Sequence, residues 1–109
     1  MPDKKKENDV IGSIEFKKFF DRIPQNDPRK KEFYEIFKIL KEDCLRGNKI
    51  HHDRWPESYI SKYRINNLWR YTLRSGWRIV YTILSQKDSF IVCILEAFSH
   101  KDYEKRFGY

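Results

Sequence analysis

The stretch that decides the fold is NLWRYTL–RSG–WRIVYTIL, which runs from Asn67 to Leu84. Large apolar side chains alternate with polar ones on both sides of Arg74–Gly76, and this period of two is typical of β-strands. Ser-Gly in the middle is typical of a turn. The stretch therefore predicts a β-hairpin whose three-residue turn closes between Leu73 and Trp77.

That turn sets a register in which Tyr71 opposes Ile79 and Trp69 opposes Tyr81. All the large apolar side chains then share one face of the hairpin: Trp69, Tyr71, Leu73, Trp77, Ile79, Tyr81 and Ile83. The other face carries Arg70, Thr72, Arg78 and Val80. A slip of one residue would bury both arginines and expose two tryptophans, so the facing is strongly specified. We expect the arginine-bearing face to be open to solvent.

Two helices are predicted ahead of the hairpin, and they supply the natural cover for its apolar face. The first is indicated by helical spacing of Phe16, Phe19, Phe20 and Ile23, and Pro24 ends it. Asp27 followed by Pro28 favours the start of the second. Its apolar stripe consists of Phe33, Phe37, Leu40 and Cys44, and Gly47 is expected to stop it near Arg46. Residues 10–15 are either a first strand or a lead-in to the first helix.

The remaining segments are assigned more coarsely. Residues 48–66 are polar and are interpreted as a long loop, in which the adjacent His51 and His52 lack the spacing of a metal site. Phe90–Phe98 is almost wholly apolar, as expected of a central strand. His100–Phe107 is charged and aromatic, and we expect a final helical turn or a structured tail.

The chain of 109 residues is one domain by length. We expect a flexible N-terminus over residues 1–9 and a single α+β domain over residues 10–109. No apolar run reaches the ~20 residues of a membrane span, and no secretory signal is recognisable, so we expect a cytoplasmic protein without a membrane partner. Cys44 and Cys93 suit neither a disulfide framework nor a metal site.

The net charge of +7 is unevenly spread. Residues 60–109 carry nine basic and four acidic side chains, whereas residues 1–59 are nearly balanced with 14 and 12. A basic C-terminal half is typical of a protein with a polyanionic partner such as nucleic acid, the ribosome or an acidic protein segment. Plain solubility is the alternative.

Two groups of polar residues are candidates for a site. Arg70 and Arg78 could clamp a phosphate, because the guanidinium fork matches phosphate oxygens; alternatively they are structural partners of Glu96. His100, Lys101 and Tyr103 follow the apolar strand directly. They could transfer a proton, neutralise a phosphate and stack on a base, or they could simply cap the C-terminus.

The joint order of these motifs resembles the RelE/ParE toxin superfamily. It consists of two N-terminal helices, the strand at residues 67–73, an aromatic followed by Arg, two aliphatics and Tyr at Trp77–Tyr81, and the basic tail that begins at His100. The resemblance covers residues 10–109. It implies a small antiparallel sheet with two N-terminal helices packed on one face.

For RelE-like members the resemblance implies ribosome-dependent cleavage of mRNA that leaves a 2′,3′-cyclic phosphate, with no metal or other cofactor, and a cognate antitoxin as partner. The implied catalytic residues are Arg78, His100 and Tyr103. The implied RNA- or phosphate-binding residues are Arg70, Arg74, Lys101 and Tyr109.

This sequence departs from the family pattern at Thr72, where some members carry a second basic residue. It also offers no general base except Glu96, if that residue lies on the right face. ParE-like members share the fold but act on DNA gyrase and have no nuclease site. The fold therefore does not settle the activity. A non-catalytic toxin of that kind and a plain RNA-binding domain stay open as alternatives.

Overall fold

A five-stranded sheet organises the chain, and the computed structural model describes residues 7–108 of it. The elements in chain order are β1 (Asp9–Gly12), α1 (Ile14–Asp21), α2 (Pro28–Glu42), β2 (Asn48–Lys49), a 3-10 helix (His52–Arg54), α3 (Glu57–Tyr63), β3 (Trp69–Thr72), β4 (Arg78–Ser85), β5 (Phe90–Phe98) and α4 (His100–Phe107). The strands lie side by side in the order β1-β5-β4-β3-β2. The predicted α+β class is confirmed.

The β3–β4 hairpin has the predicted register. Tyr71 pairs with Ile79 and Trp69 with Tyr81. The turn closes where the N–H of Leu73 donates to the carbonyl of Trp77 at 2.7 Å. Gly76 has a φ of +94°, a conformation that residues with a Cβ rarely adopt. The turn chemistry therefore agrees with the apolar pattern on either side of it.

The sheet is mixed rather than wholly antiparallel. β1 runs parallel to β5, with Asp9 beside Ile91 and Gly12 beside Ile94, while the other pairs are antiparallel. Of the two expectations for residues 10–15, the strand is correct. β1 and β5 are joined by residues 13–89, which is the kind of long connection that parallel pairs require.

The N-terminal segment that the sequence predicts to be flexible, residues 1–9, includes two residues that the fold holds in place. Residues 1–6 lie outside the described residues, but Asn8 is buried at 6% exposure and Asp9 already belongs to β1. The Asn8 side chain donates to the carbonyl of Leu40 at 3.2 Å and accepts from the N–H of Phe90 at 3.0 Å. It thereby ties the first strand to α2 and β5.

Helix α2 begins as its sequence predicts, and α1 also begins at a side-chain cap. The Ser13 hydroxyl accepts from the N–H of Phe16 at 3.0 Å. The carboxylate of Asp27 accepts from the N–H of Arg29 at 2.8 Å, with Pro28 as the first helical residue. These are the contacts expected of residues that cap free N–H groups at a helix start.

Helix α2 ends at Glu42, earlier than expected, and Gly47 does not stop it. Gly47 is needed for close packing instead. A Cβ there would come 2.6 Å from the carbonyl oxygen of Arg70, and it would also collide with the hydroxyl of Tyr81.

The two helices cover one face of the sheet with a core rich in aromatic rings. Its buried members are Phe16, Ile23, Phe33, Ile36, Leu40, Cys44, Leu73, Ile79, Tyr81, Val92 and Ile94. Trp69, Tyr71, Trp77 and Ile83 pack against it half-buried. The predicted facing of the hairpin is therefore confirmed.

The opposite face is not open, and this expectation was wrong. A second core lies there, formed by Ile50, Tyr59, Leu68, Val80, Leu95, Phe98, Tyr103 and Phe107. Helices α3 and α4 supply its covering side chains. Residues 48–66 are thus not a loop: they hold the edge strand β2, the 3-10 helix and α3, and Tyr59 is 1% exposed.

Among residues 7–108, none of the four α-helices combines the length and the apolar character needed to cross a lipid bilayer. The same residues contain no cluster of three or more His, Cys, Asp or Glu side chains arranged to hold a metal ion. Cys44 is buried and Cys93 half-buried, and neither forms a disulfide. Burial raises the pKa of the Cys93 thiol.

Candidate functional site: an arginine pair beneath the C-terminal helix

Arg70 and Arg78, hereafter the arginine pair, lie on the sheet face that carries α3 and α4. Arg70 is opposite Val80, and Arg78, the first residue of β4, is opposite Thr72. The two arginines therefore sit diagonally on neighbouring strands with their side chains on one face. Both are half-buried. The predicted placement on the face away from α1 and α2 is correct.

The ring of Tyr103 lies against both members of the arginine pair. The guanidinium carbon of Arg70 is 5.5 Å from the ring centroid, and that of Arg78 is 5.1 Å from it. Arg70 Nη1 also donates to the Tyr103 hydroxyl at 3.0 Å. Both distances fall in the range of cation–π attraction. Tyr103 is 2% exposed, so it acts as a cover for the pair.

No carboxylate in residues 7–108 forms an ion pair with either arginine. Arg78 Nη1 donates to the carbonyl of Gly76 at 2.9 Å. The Nε atoms of Arg70 and Arg78 are buried and have no hydrogen-bond partner within that range. Two like charges thus share one aromatic ring without an acidic neighbour, which is an arrangement that favours the approach of an anion.

Helix α4 places Tyr103 because its ends and its apolar spacing are well specified. The Ser99 hydroxyl accepts from the N–H of Asp102 at 3.3 Å, and Gly108 ends the helix at a φ of 73°. Tyr103 and Phe107 are one turn apart on the face toward the sheet, and their rings stack at 4.5 Å. The helix therefore lies on the sheet through two buried aromatic side chains.

Glu96 is not the partner of the arginine pair, so the hypothesis of a structural Arg–Glu96 pair is wrong. A register shift at Val80/Tyr81 leaves Leu95 and Glu96 together on the α3/α4 side of β5. There the Glu96 carboxylate accepts from Tyr59 Oη at 2.5 Å and from Arg106 Nη1 at 2.7 Å. Burial, and secondarily the Glu96 carboxylate, raises the pKa of Tyr59 far above its ordinary value. Tyr59 therefore stays a neutral donor.

His100 and Lys101 form the exposed first turn of α4. His100 directly follows Ser99, and Ser99 follows Phe98, the strand partner of Arg78. The turn consequently lies at the end of the sheet where Arg78 begins β4. The imidazole of His100 is paired with Glu104 one helical turn later.

Another predicted site residue, Arg74, lies apart from the arginine pair. Arg74 donates to Glu35 on α2 at 3.1 Å, on the side of the sheet that the N-terminal helices cover. The neighbouring N–H of Ser75 is bound by Glu32 of the same helix at 3.1 Å. Tyr109 lies outside the described residues.

Sequence reasoning missed the side chains that hold α4 in place, above all Tyr59, Arg106 and Phe107. A signal existed, since Tyr103 and Phe107 have the i, i+4 spacing of a buried helix face. Tyr59 and Tyr63 repeat that spacing on α3. Both helices are so short that the pattern spans only one repeat of each.

Comparisons with known proteins give a match by structure alone. No protein-family model matches the sequence, and neither does any curated protein sequence. A solved structure of E. coli toxin RelE, a double arginine-to-alanine mutant in the free state, superposes with a TM-score of 0.63. The alignment covers 94% of this chain and 95% of that one, at 12% sequence identity.

The chain has the RelE-like fold. At 12% identity the likeness shows the fold and no more. The alignment covers nearly all of both chains, so the shared fold extends over nearly the whole length of each. The roles assigned to Arg78, His100 and Tyr103 stay predictions within that RelE-like frame.

Proposed function

We propose that this protein is the toxin of a type II toxin–antitoxin pair and that it cleaves mRNA on the ribosome without a metal ion. The RelE-like fold is one support, since the similar solved structure is of a protein named a toxin. The observation that carries the proposal is the arginine pair, which shares the Tyr103 ring and has no acidic partner in residues 7–108.

The reaction needs charge stabilisation and proton transfer. The ribose 2′-oxygen attacks the adjacent phosphorus and loses its proton, the bond from phosphorus to the 5′-oxygen breaks, and the 5′-oxygen takes up a proton. The products are a 2′,3′-cyclic phosphate and a 5′-hydroxyl. The negative charge on the phosphate oxygens grows in the transition state, and preorganised donors at that position accelerate the step.

We assign each residue of the site a role from its position and from the resemblance to RelE-like toxins. Arg78 stabilises the charge on the scissile phosphate, and Arg70 binds the neighbouring backbone. His100, exposed and paired with Glu104, gives the proton to the leaving 5′-oxygen. Lys101 beside it binds phosphate, and Tyr103 orients the two guanidinium groups.

The charge distribution supports the partners implied by this function. Residues 60–109 carry an excess of five basic side chains, which favours association with the ribosome and mRNA. The same excess favours an acidic antitoxin that covers the arginine pair and the exposed first turn of α4 in the resting cell.

The test is induced expression of the chain without an antitoxin, followed by mapping of mRNA 5′ ends and of growth. Arrest of growth with new 5′-hydroxyl ends inside reading frames is expected. Arrest without such ends, and with altered DNA supercoiling, would favour the gyrase-directed alternative. Normal growth with folded protein present would favour the plain RNA-binding domain.

Salt dependence gives an independent check on phosphate contacts. Cations that neutralise phosphates release counterions, so the affinity for programmed ribosomes should fall as salt rises. Equilibrium binding measured between about 50 and 200 mM salt gives the slope of affinity against salt concentration, because phosphate contacts weaken strongly over this range. A flat curve would contradict a phosphate-contacting face.

A further inference from the structure

Two polar contacts with residues 48–66, the segment interpreted from sequence as a long loop, fasten helix α4 to the rest of the molecule. The first is the chain Tyr59–Glu96–Arg106, in which one carboxylate accepts from a tyrosine on α3 and from an arginine on α4. The second joins Arg54 Nη1 in the 3-10 helix to the carbonyl of Gly108 at 3.1 Å. Both contacts hold the C-terminal end of α4.

Apolar packing follows the same route. The Tyr59 ring meets that of Phe107 edge-on at 6.1 Å, and Phe107 stacks on Tyr103 at 4.5 Å. Tyr103 in turn lies on the arginine pair. An unbroken series of contacts thus runs from α3 through α4 to the guanidinium groups, and it includes no residue of α1 or α2.

We propose that Tyr59 is a positioning residue for the arginine pair: through Glu96 and Arg106 it sets how α4 lies on the sheet, and thereby where Tyr103 lies against Arg70 and Arg78. The catalytic consequence rests on the proposed function, whereas the control of α4 does not. Tyr59 itself is 1% exposed; its hydroxyl binds Glu96 and its ring meets Phe107, so its route to the arginine pair is through α4.

The chain contains a matched control on the same helix. Tyr63, one turn after Tyr59, donates to the Glu15 carboxylate at 2.5 Å. That tyrosine–carboxylate contact joins α3 to α1 and leaves α4 untouched. Tyr59→Phe and Tyr63→Phe therefore remove the same chemical group from the same helix, and only the first weakens the hold on α4.

The first measurement is amide hydrogen exchange on the full chain, which compares α4 with β4. Loss of one hydrogen bond changes an opening equilibrium by about two- to tenfold. Tyr59→Phe should speed exchange in residues 102–107 by that factor relative to β4, and Tyr63→Phe should leave the ratio unchanged. Equal ratios in the two variants, or α4 amides that exchange without protection in the wild type, would overturn the proposal.

Arg106→Met provides a second variant if Tyr59→Phe does not fold, because Arg106 is on the surface and its loss leaves the second core intact. It should raise the same ratio, and Arg106→Lys should restore part of the protection. A rise that is uniform over α4, β4 and β5 would mean a general loss of stability and would also overturn the proposal.

The second measurement is single-turnover cleavage on programmed ribosomes. A misplaced catalytic group lowers the chemical rate, so Tyr59→Phe should reduce the saturating rate on the order of tenfold while the half-saturating ribosome concentration stays constant. Tyr63→Phe should cleave as the wild type does. If the wild type does not cleave, the proposed function fails, and the exchange ratio still decides whether Tyr59 controls α4. Faster exchange in α4 with an unchanged cleavage rate would overturn the positioning role alone.

Discussion

The two faces of the sheet differ in their buried side chains and in the polar contacts that these side chains make. Under α1 and α2 the core is dominated by phenylalanine rings and aliphatic side chains, and its buried hydroxyl, that of Tyr81, bonds to backbone atoms of Cys44 and Gly47. Under α3 and α4 two of the four buried rings are tyrosines, and their hydroxyls meet charged side chains, as Tyr59 meets Glu96 and Tyr103 meets Arg70. The first core thus pairs its buried hydroxyl with the backbone, while the second pairs its hydroxyls with charged side chains.

The difference indicates a division of labour. A core of mostly apolar side chains stabilises a fold at low risk, because few of its groups can be left without a hydrogen bond. A buried face with charged groups is costly to maintain, as the unpartnered Nε atoms of Arg70 and Arg78 illustrate. Such a cost is typical of surfaces that serve binding or catalysis.

The largest expected effect is on the face under α1 and α2, hereafter the packed face. Phe33 is 0% exposed, and its ring meets those of Phe16, Phe19 and Phe20 at 6.0–6.1 Å. Phe33→Ala should lower the free energy of unfolding by about 3–5 kcal/mol, measured by urea denaturation. Phe90 is 38% exposed, so Phe90→Ala serves as the control and should cost much less. Equal losses would mean that the face under α1 and α2 is not the main source of stability.

The second-largest effect is expected on the face under α3 and α4, hereafter the polar face. Arg78→Ala should lower the single-turnover cleavage rate by ~10²–10³ with a small change in thermal melting, because a half-buried cation–π contact contributes only about 0.5–1 kcal/mol. Arg74→Ala removes an arginine four residues away that binds Glu35 on the other side, and it should slow cleavage by no more than a few-fold. A melting point far below that of the wild type would make Arg78 a structural residue.

The packed face was predictable from sequence because its signal is long and local. The hairpin register follows from alternation over Trp69–Ile83 and one Gly turn, and the starts of α1 and α2 follow from helical spacing and capping. The ends were less predictable, since Gly47 reads as a helix stop but serves the close approach of Tyr81. Local patterns cannot show which distant segment needs the space beside a glycine.

The polar face was only half predictable. Alternation alone places Arg70 and Arg78 on it, and a resemblance in the tail points to Tyr103. The cover was missed because α3 and α4 have seven and eight residues, too few for a clear apolar stripe. The partner of Glu96 was missed because a bulge in β5 and a contact with Arg106 depend on tertiary packing, which strand pairing by itself does not determine.

A third effect tests how the two N-terminal helices are joined. Lys30 is 5% exposed, and its ammonium donates to the carbonyls of Phe20 and Ile23 at 3.0 and 3.1 Å. It thus supplies an additional donor to the Phe20 carbonyl, which also accepts from the N–H of Ile23, and a donor to the Ile23 carbonyl just past the end of α1. Lys30→Met should cost about 1–3 kcal/mol of unfolding free energy. Lys31→Met, at an exposed position on the same helix, should change it by less than about 0.5 kcal/mol, and a similar loss in both would refute the capping role.

The smallest expected effect is a pH dependence of stability that arises where α3 contacts α1. Hydrogen bonds from Tyr63 and Lys62 lower the pKa of Glu15 from 4.5 to about 2. A carboxyl whose pKa is lower in the folded state stabilises the fold above its unfolded value, and this contribution is lost as the pH falls through the folded value. Tyr63→Phe removes the largest cause of the shift, so the variant should be less stable than the wild type at pH 7. That difference should shrink between pH 4.5 and about 2.

Urea denaturation of the wild type and Tyr63→Phe at pH 7, 4 and 3 measures this difference in stability. When both proteins also carry Glu15→Gln, the pH dependence of the difference should vanish. A difference that stays constant down to pH 3 would show that the Tyr63 hydroxyl contributes independently of the charge on the Glu15 carboxylate.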